Sequence, residues 1–173
     1  MRGHQRTKGN QKAAAMKAIS LLQPWATLMA IGAKKIETRS WYTSHRGPLA
    51  IHASLGDEWL QRLFSRDPFY RHLKAAGYTN ASALPKGAVI GEVNIIDCRR
   101  IVTRETPITK MIDKRVLMHP PGGDELEFGD YTPGRYAWIT SGAIIYHRPI
   151  PAKGQLSIWE FDQKRTTRCS NCK

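Results

Sequence analysis

Eight residues hold the densest chemistry in the chain: Gly32-Ala-Lys34-Lys35-Ile-Glu37-Thr-Arg39. A lysine and an arginine flanking a carboxylate can neutralise a phosphate while the carboxylate accepts an N–H or O–H from a base or sugar. Trp25 and Trp41 lie on either side of the segment, and each could stack on a base, worth about 1–3 kcal/mol. Lys34 could instead serve as a base or nucleophile if burial made its neutral form accessible. The same residues also read as a solvated ion-pair strand with both tryptophans in the core, since surface charge pairs are common and nearly neutral energetically.

Other reactive patterns are sparse. No Gly-x-Ser-x-Gly elbow, Walker loop, His-Glu-x-x-His or Cys/His dyad can be read. His52, on a strand-like stretch after Arg46-Gly-Pro, is the histidine placed to face the same site, and Arg46 and Tyr136 join it as candidates by position and chemistry. A lone strand histidine is more often a hydrogen-bonded structural residue. His45, His72, His119 and His147 lack ligand spacing, so no metal and no cofactor is expected in the folded part. Cys98 falls in a strand-like run and reads as a small buried apolar residue. Cys169-Ser-Asn-Cys172 supplies two of the four ligands that zinc needs, with no second pair nearby, and reads as a reduced tail.

The elements that would position these groups follow from periodicity. Residues 17–22 read as a short strand. Gln23-Pro24 opens a helix in which Trp25, Leu28 and Met29 repeat at i, i+3, i+4, and Gly32 falls where a left-handed C-cap would stop it. Residues 35–41 alternate like a strand, placing Lys35, Glu37, Arg39 and Trp41 on one face and Ile36, Thr38 and Ser40 on the other. Residues 49–53 and 88–96 are strand-like, 57–76 form two helical segments broken at Asp67-Pro68, 106–118 are helical or irregular, and 119–124 form a loop. Residues 136–139, 143–146 and 156–161 read as separate short strands divided by turns. The expected class is α+β, a small, partly open β-barrel with peripheral helices.

Composition sets the frame. The chain has 173 residues, 27 Lys or Arg against 14 Asp or Glu, and a net charge of +13. That length supports one domain with a real core, and an ordinary 41% hydrophobic fraction argues against wholesale disorder. No apolar run is long enough for a membrane span, so no membrane partner is expected, and the basic N-terminus has no apolar stretch behind it to form a secretory leader. Three cysteines argue against a disulfide framework, and a cytoplasmic location is expected. The charge is uneven: residues 1–17 carry five basic residues and no acid, and 164–173 carry four and no acid. The expected organisation is a basic flexible arm (1–16), a folded domain (17–163) and a basic tail with the C-x-x-C pair (164–173). Basic arms on a mildly basic core point to a polyanion, nucleic acid first, because each neutralised phosphate releases a counterion.

The motif in residues 32–39 matches G-x-K-x-x-E-x-R, and on it the chain resembles the ASCH domain family. Its surroundings agree: Ser20-Leu-Leu-Gln-Pro-Trp-Ala before it, Arg39-Ser-Trp and Arg46-Gly-Pro-Leu-Ala-Ile-His-Ala after it, and later Gly134-Arg-Tyr-Ala-Trp138 and Pro149-Ile-Pro-Ala-Lys-Gly. The similarity spans about residues 18–162. It implies a PUA-like fold, a small β-barrel with helices at its openings, and a nucleic-acid-binding role, RNA favoured over DNA. A cleft for a nucleotide or modified base would be lined by Lys34, Glu37 and Arg39, with Gly32 allowing close backbone approach. Some relatives are amidohydrolases acting on N4-acetylcytidine through a lysine, a threonine and a later glutamate. Here Glu37 stands in the threonine's place, which counts against that reaction; Glu92 and the pair Glu125 and Glu127 are candidates for the later glutamate. Others are ribonucleases, which would make Lys34, Arg39 and Glu37 an electrostatic and acid–base set with Lys34 and Glu37 catalytic, and the family's presence in coactivators adds a protein-interaction role as a third reading.

Overall fold

The computed structural model describes residues 15–108 and 115–162. Its elements run β1 (Met16–Leu21), α1 (Trp25–Ala30), β2 (Ile36–Arg39), β3 (Gly47–Ala53), α2 (Leu60–Phe64), α3 (Phe69–Ala75), a 3-10 turn (Ala81–Ala83), β4 (Ala88–Ile101), β5 (Leu117–Met118), α4 (Asp124–Glu127), β6 (Tyr136–Pro151) and β7 (Ile158–Phe161). The class is α+β. Six strands form one sheet in the order β2-β6-β4-β3-β1-β7, with β5 added to β4 as the seventh. The β1/β3 and β4/β5 pairs are parallel and the others antiparallel.

The sheet is not a closed barrel: among the described residues no ladder joins β2 to β7. It does curl. Arg39 on β2 donates through Nη2 to the Ser20 carbonyl on β1 at 3.3 Å, although β6, β4 and β3 lie between those strands in the sheet. The accumulated twist of long strands produces this approach, and the hollow so formed holds the site.

Residues 136–151 form one strand where the sequence predicts two short ones. The register moves from Asn94↔Ser141 to Glu92↔Ile144, so β6 carries one more residue than β4 over that stretch. Gly142, at φ +60°, takes up the extra residue. A glycine bulge bends a strand without ending its ladder, which composition alone reads as a turn.

Helix α1 is buried almost all round rather than on one face. Ala26, Met29 and Ala30 pack into the sheet cluster with Ile19, Ile51, Ile90 and Trp138. Leu28 faces the other way, into the α2/α3 cluster with Leu60, Phe69, Leu73 and Phe128. The helix is therefore a middle layer, and the helices beyond it form one wall of the site. No helix among the described residues is long and apolar enough to cross a membrane. The expected arm lies outside the described residues up to residue 14, and the tail with its two cysteines lies wholly outside them.

His52 belongs to the core. It is 2% exposed, shares Nε2 with the Ala152 carbonyl at 3.0 Å, and packs edge-on against Trp159 at 5.8 Å. Gly154 closes over it: a Cβ there would lie 2.5 Å from His52 Cε1. Burial lowers the imidazole below its ordinary 6.5, against a smaller opposing effect of the Ala152 bond. The unfolded chain therefore binds more protons as pH falls through that value, and stability is lost on acidification. The melting temperature is expected to fall between about pH 7.5 and about pH 5.5, and His52→Gln to flatten that fall. Thermal melts at the two pH values check this; an unchanged pH dependence in the variant would remove His52 from the account.

Candidate functional site

A cleft of about 640 Å³ opens between the curled sheet and the helical layer, within the range of small-ligand sites. Its border comes from β1 (Ser20, Leu21), β2 with the residues after it (Glu37 to Trp41), α1 (Trp25), the α2/α3 wall (Leu63, Arg66, Phe69), and the stretch from Glu127 to Asp130.

Gly32, at φ +78°, ends α1 in the left-handed conformation the sequence predicts. The turn is tied down when Lys34 N–H donates to the Leu28 carbonyl at 3.0 Å. The strand begins only at Ile36, so alternation cannot be extended back through Lys35 and Lys34. Lys34 turns inward and is 1% exposed, while Lys35 stays exposed and borders a smaller hollow of about 280 Å³ with Gly32, Thr140 and Ser141. Strand parity had put Lys35 on the charged face; the turn gives that place to Lys34.

The Glu125 carboxylate fixes the same turn from outside. It accepts the backbone N–H of Lys35 at 2.8 Å and of Ile36 at 3.0 Å, and the Tyr131 hydroxyl at 3.2 Å. Burial first, then Glu125, pushes the Tyr131 phenol well above its ordinary value, so it remains a donor. Glu125 is thus a cap for the edge strand. Glu92 accepts the Tyr146 hydroxyl at 2.6 Å and does not border the cleft. Of the three glutamates considered from sequence, Glu127 borders it, paired with Arg66 at 3.2 Å.

Lys34, Glu37 and Arg39 form the centre of the site. Lys34 Nζ donates to the Phe128 carbonyl at 2.9 Å and to the Ile36 carbonyl, and lies 3.5 Å from Glu37 Oε2. The other Glu37 oxygen is 2.9 Å from Arg39 Nε. A second polar tie holds the rim: Arg135 pairs with Asp130 at 3.2 Å and donates to the Thr38 carbonyl at 3.3 Å. Hydrogen bonds from Thr132, helped by Arg135, hold Asp130 below the usual carboxylate range. Four cationic side chains (Lys34, Arg39, Arg66, Arg135) and three carboxylates (Glu37, Glu127, Asp130) border the cleft. Its charge is therefore nearly balanced, and it offers placed donors and acceptors rather than a strong field.

The structure brings together Trp25, Lys34, Glu37, Arg39 and Trp41 of the residues expected at the site. Trp25 meets Trp59 and Phe69 edge-on, each at 6.3 Å; Trp41 meets Trp138 edge-on at 4.6 Å. Gly32 and Lys35 are at the smaller hollow, and His52 is in the core. Arg46 pairs with Asp97 at 3.4 Å away from the cleft border. Tyr136 is not on the border either, but stands opposite Arg39 in the β2/β6 ladder. Sequence reasoning missed Trp59, Arg66 and Arg135. The first two belong to a helical segment whose pattern does not say what it covers; Arg135, inside Gly134-Arg-Tyr, was within reach of the motif reading. Among the described residues no group of three or more metal-ligating side chains is assembled.

The sequence model of the ASCH domain matches residues 19–142. The chain is similar to activating signal cointegrator 1 of Homo sapiens, 39% identical over 146 residues, covering 84% of this chain and 22% of that protein. The Mus musculus protein of the same name gives the same identity and coverage. The chain thus spans only 22% of the length of these curated relatives.

Removing the buried ammonium would leave Glu37 and two carbonyls short of a donor. Lys34→Ala is expected to cost about 3–5 kcal/mol in urea unfolding, the range for breaking a buried pair from one side. Arg39→Ala, at a partly exposed position, is expected to cost about 1 kcal/mol. Equal losses in the two variants would deny Lys34 its place as the tie.

Proposed function

The chain belongs to the ASCH domain family, and from that premise we propose that it binds nucleic acid, RNA before DNA, with one nucleotide or modified base held in the cleft. The observation that carries this reading is the placement of the Lys34–Glu37–Arg39 group beside Trp25 and Trp41 on the border of one cleft. Aromatic faces accept any base, and a clamped carboxylate between two cations presents an acceptor beside donors, the pattern a base edge and its phosphate require. We read the curled, unclosed sheet as a partly open PUA-like barrel, supported by the Arg39 to Ser20 bond across its gap. A cytoplasmic location belongs to the same reading.

Hydrolysis is the second reading, of N4-acetylcytidine or of RNA, and it is favoured by one observation: Lys34, Glu37, Thr38 and Glu127 border a single cleft. Against it stands the surrounding of Lys34 Nζ by two carbonyls and a carboxylate, an arrangement that uses the group as a fixed donor. Thr38 Oγ1 is occupied as well, accepting the Asp130 N–H at 3.1 Å.

One experiment separates these. An RNA digest and a modified-nucleoside panel are incubated with the protein, then followed by filter retention and mass spectrometry. Binding predicts retained RNA or one retained nucleoside, no new mass, and about tenfold weaker retention in Arg39→Ala, as expected for a lost charged hydrogen bond. A new product that disappears in Glu37→Gln would make the protein a hydrolase. Neither retention nor product would leave the protein-interaction role.

We also assign the sequence-independent grip on phosphates to residues 1–16 and 164–173, which hold eight basic residues and no acid. Deleting both segments is expected to flatten the dependence of log K on log salt, by up to about 0.7 per lost contact on a single strand. An unchanged slope in a salt titration would end that assignment.

A further inference from the structure

Next to the cleft, on the stretch of sheet that continues from Arg39, four side chains form an ordered array. The Arg115 guanidinium carbon lies 3.5 Å from the centroid of the Tyr42 ring. Tyr42 meets Tyr136 edge-on at 5.9 Å and 72°. Arg100 sits over the Tyr136 ring at 5.8 Å and donates through Nη1 to its hydroxyl at 3.3 Å. All four residues are partly exposed. The cleft does not use them; Tyr136, placed at the site by sequence reasoning, belongs here instead.

The array is joined to the cleft by strand register. Arg39 on β2 is opposite Tyr136 on β6, and Tyr136 is opposite Arg100 on β4. Directly opposed residues share one face of a sheet, so the three form a row across three strands. Two strand spacings make that row about 10 Å long, close to three stacked nucleotide steps of about 3.4 Å. Tyr42 is the chain neighbour of Trp41, which borders the cleft.

We propose that this array is a second subsite for single-stranded nucleic acid, holding the nucleotides that flank the one in the cleft. The proposal rests on the nucleic-acid reading of the cleft. A guanidinium laid on a tyrosine ring is held flat before any ligand arrives, and its other face is a stacking plane for a base at little further ordering cost. Arg100, bonded to the Tyr136 hydroxyl, supplies charge for a phosphate one step along. An acidic peptide would use the charge but not the planes, and planar stacking is what distinguishes this array from a simple basic patch.

The test uses the full chain and fluorescence anisotropy with labelled oligouridylates roughly two to eight nucleotides long. Wild-type affinity is expected to rise with length. The double variant Arg100→Ala with Arg115→Ala should bind the shortest oligomer as wild type does, lose about tenfold on the longest, and show a salt slope lower by about 0.7, for the one phosphate contact assigned to Arg100. Arg115→Lys keeps the charge and the contact with Tyr42 but not the plane, so it should keep the salt slope and still lose affinity for long oligomers. That conservative variant separates the effect from a folding defect. An equal loss at every length, or no loss, overturns the proposal. If Arg39→Ala weakens every length while the double variant binds like wild type, the array alone is overturned. If the wild type holds no oligomer, the reading of the cleft falls and the array with it.

Discussion

A single buried ammonium ties the site together. Moving a lysine charge out of water costs several kcal/mol unless its donors are satisfied, and Lys34, 1% exposed, satisfies them with the Ile36 and Phe128 carbonyls and the Glu37 carboxylate. Those partners come from the start of β2, the residue after α4 and the middle of β2, so one group fixes the edge strand against a loop more than ninety positions along (|i−j| = 94). The chain of contacts continues from Glu37 to Arg39 and from Arg39 to the Ser20 carbonyl. The result is a polar path across the cleft from the loop to β1, bridging the place where the sheet does not close by backbone pairing. Glu125 supports the path by taking the two backbone N–H groups at the turn.

The charge balance of the cleft then becomes intelligible. Its four cations share three carboxylates at 2.9–3.5 Å, with Glu37 serving both Lys34 and Arg39, and charges paired this closely project little net field. What they retain is direction: oxygens and N–H groups held at known places beside aromatic edges. Discrimination among ligands is the task such a surface performs well, while long-range attraction falls to groups outside it. The chain's large positive charge resides mainly near its two ends.

How far the sequence could be read follows from the range of each signal. The motif in residues 32–39 and the flanking tryptophans were legible because their spacing is local, and Gly32 as the helix stop follows from the one conformation only glycine takes easily. The choice between Lys34 and Lys35 was not legible, because alternation holds only inside a strand and both lysines precede β2. The length of β6 was hidden by Gly142, which in composition looks like a turn and in the ladder is a bulge. His52 looked like a site residue because its strand follows Arg46-Gly-Pro, yet the Gly154 segment that covers it is about a hundred residues away. Trp59 and Arg66 reach the cleft only because α1 is a middle layer, and nothing local announces that. Apart from the lysine choice, these misses concern contacts set by partners distant in the chain.

The position of Glu37 decides which chemistry the cleft is built for. A hydroxyl there would be a group that a neighbouring lysine could activate for attack. A carboxylate does something different: with one oxygen near Lys34 and the other at Arg39, it holds the ammonium and the guanidinium as charged donors at a fixed separation. Proton transfer asks a group to gain and lose its proton within reach of substrate, whereas Lys34 is enclosed by acceptors from the protein itself. The arrangement therefore favours recognition through fixed hydrogen bonds, with stacking from the tryptophans. The Arg39–Tyr136–Arg100 row starts from the same arginine that closes the polar path, so the subsite proposed there would continue directly from the cleft.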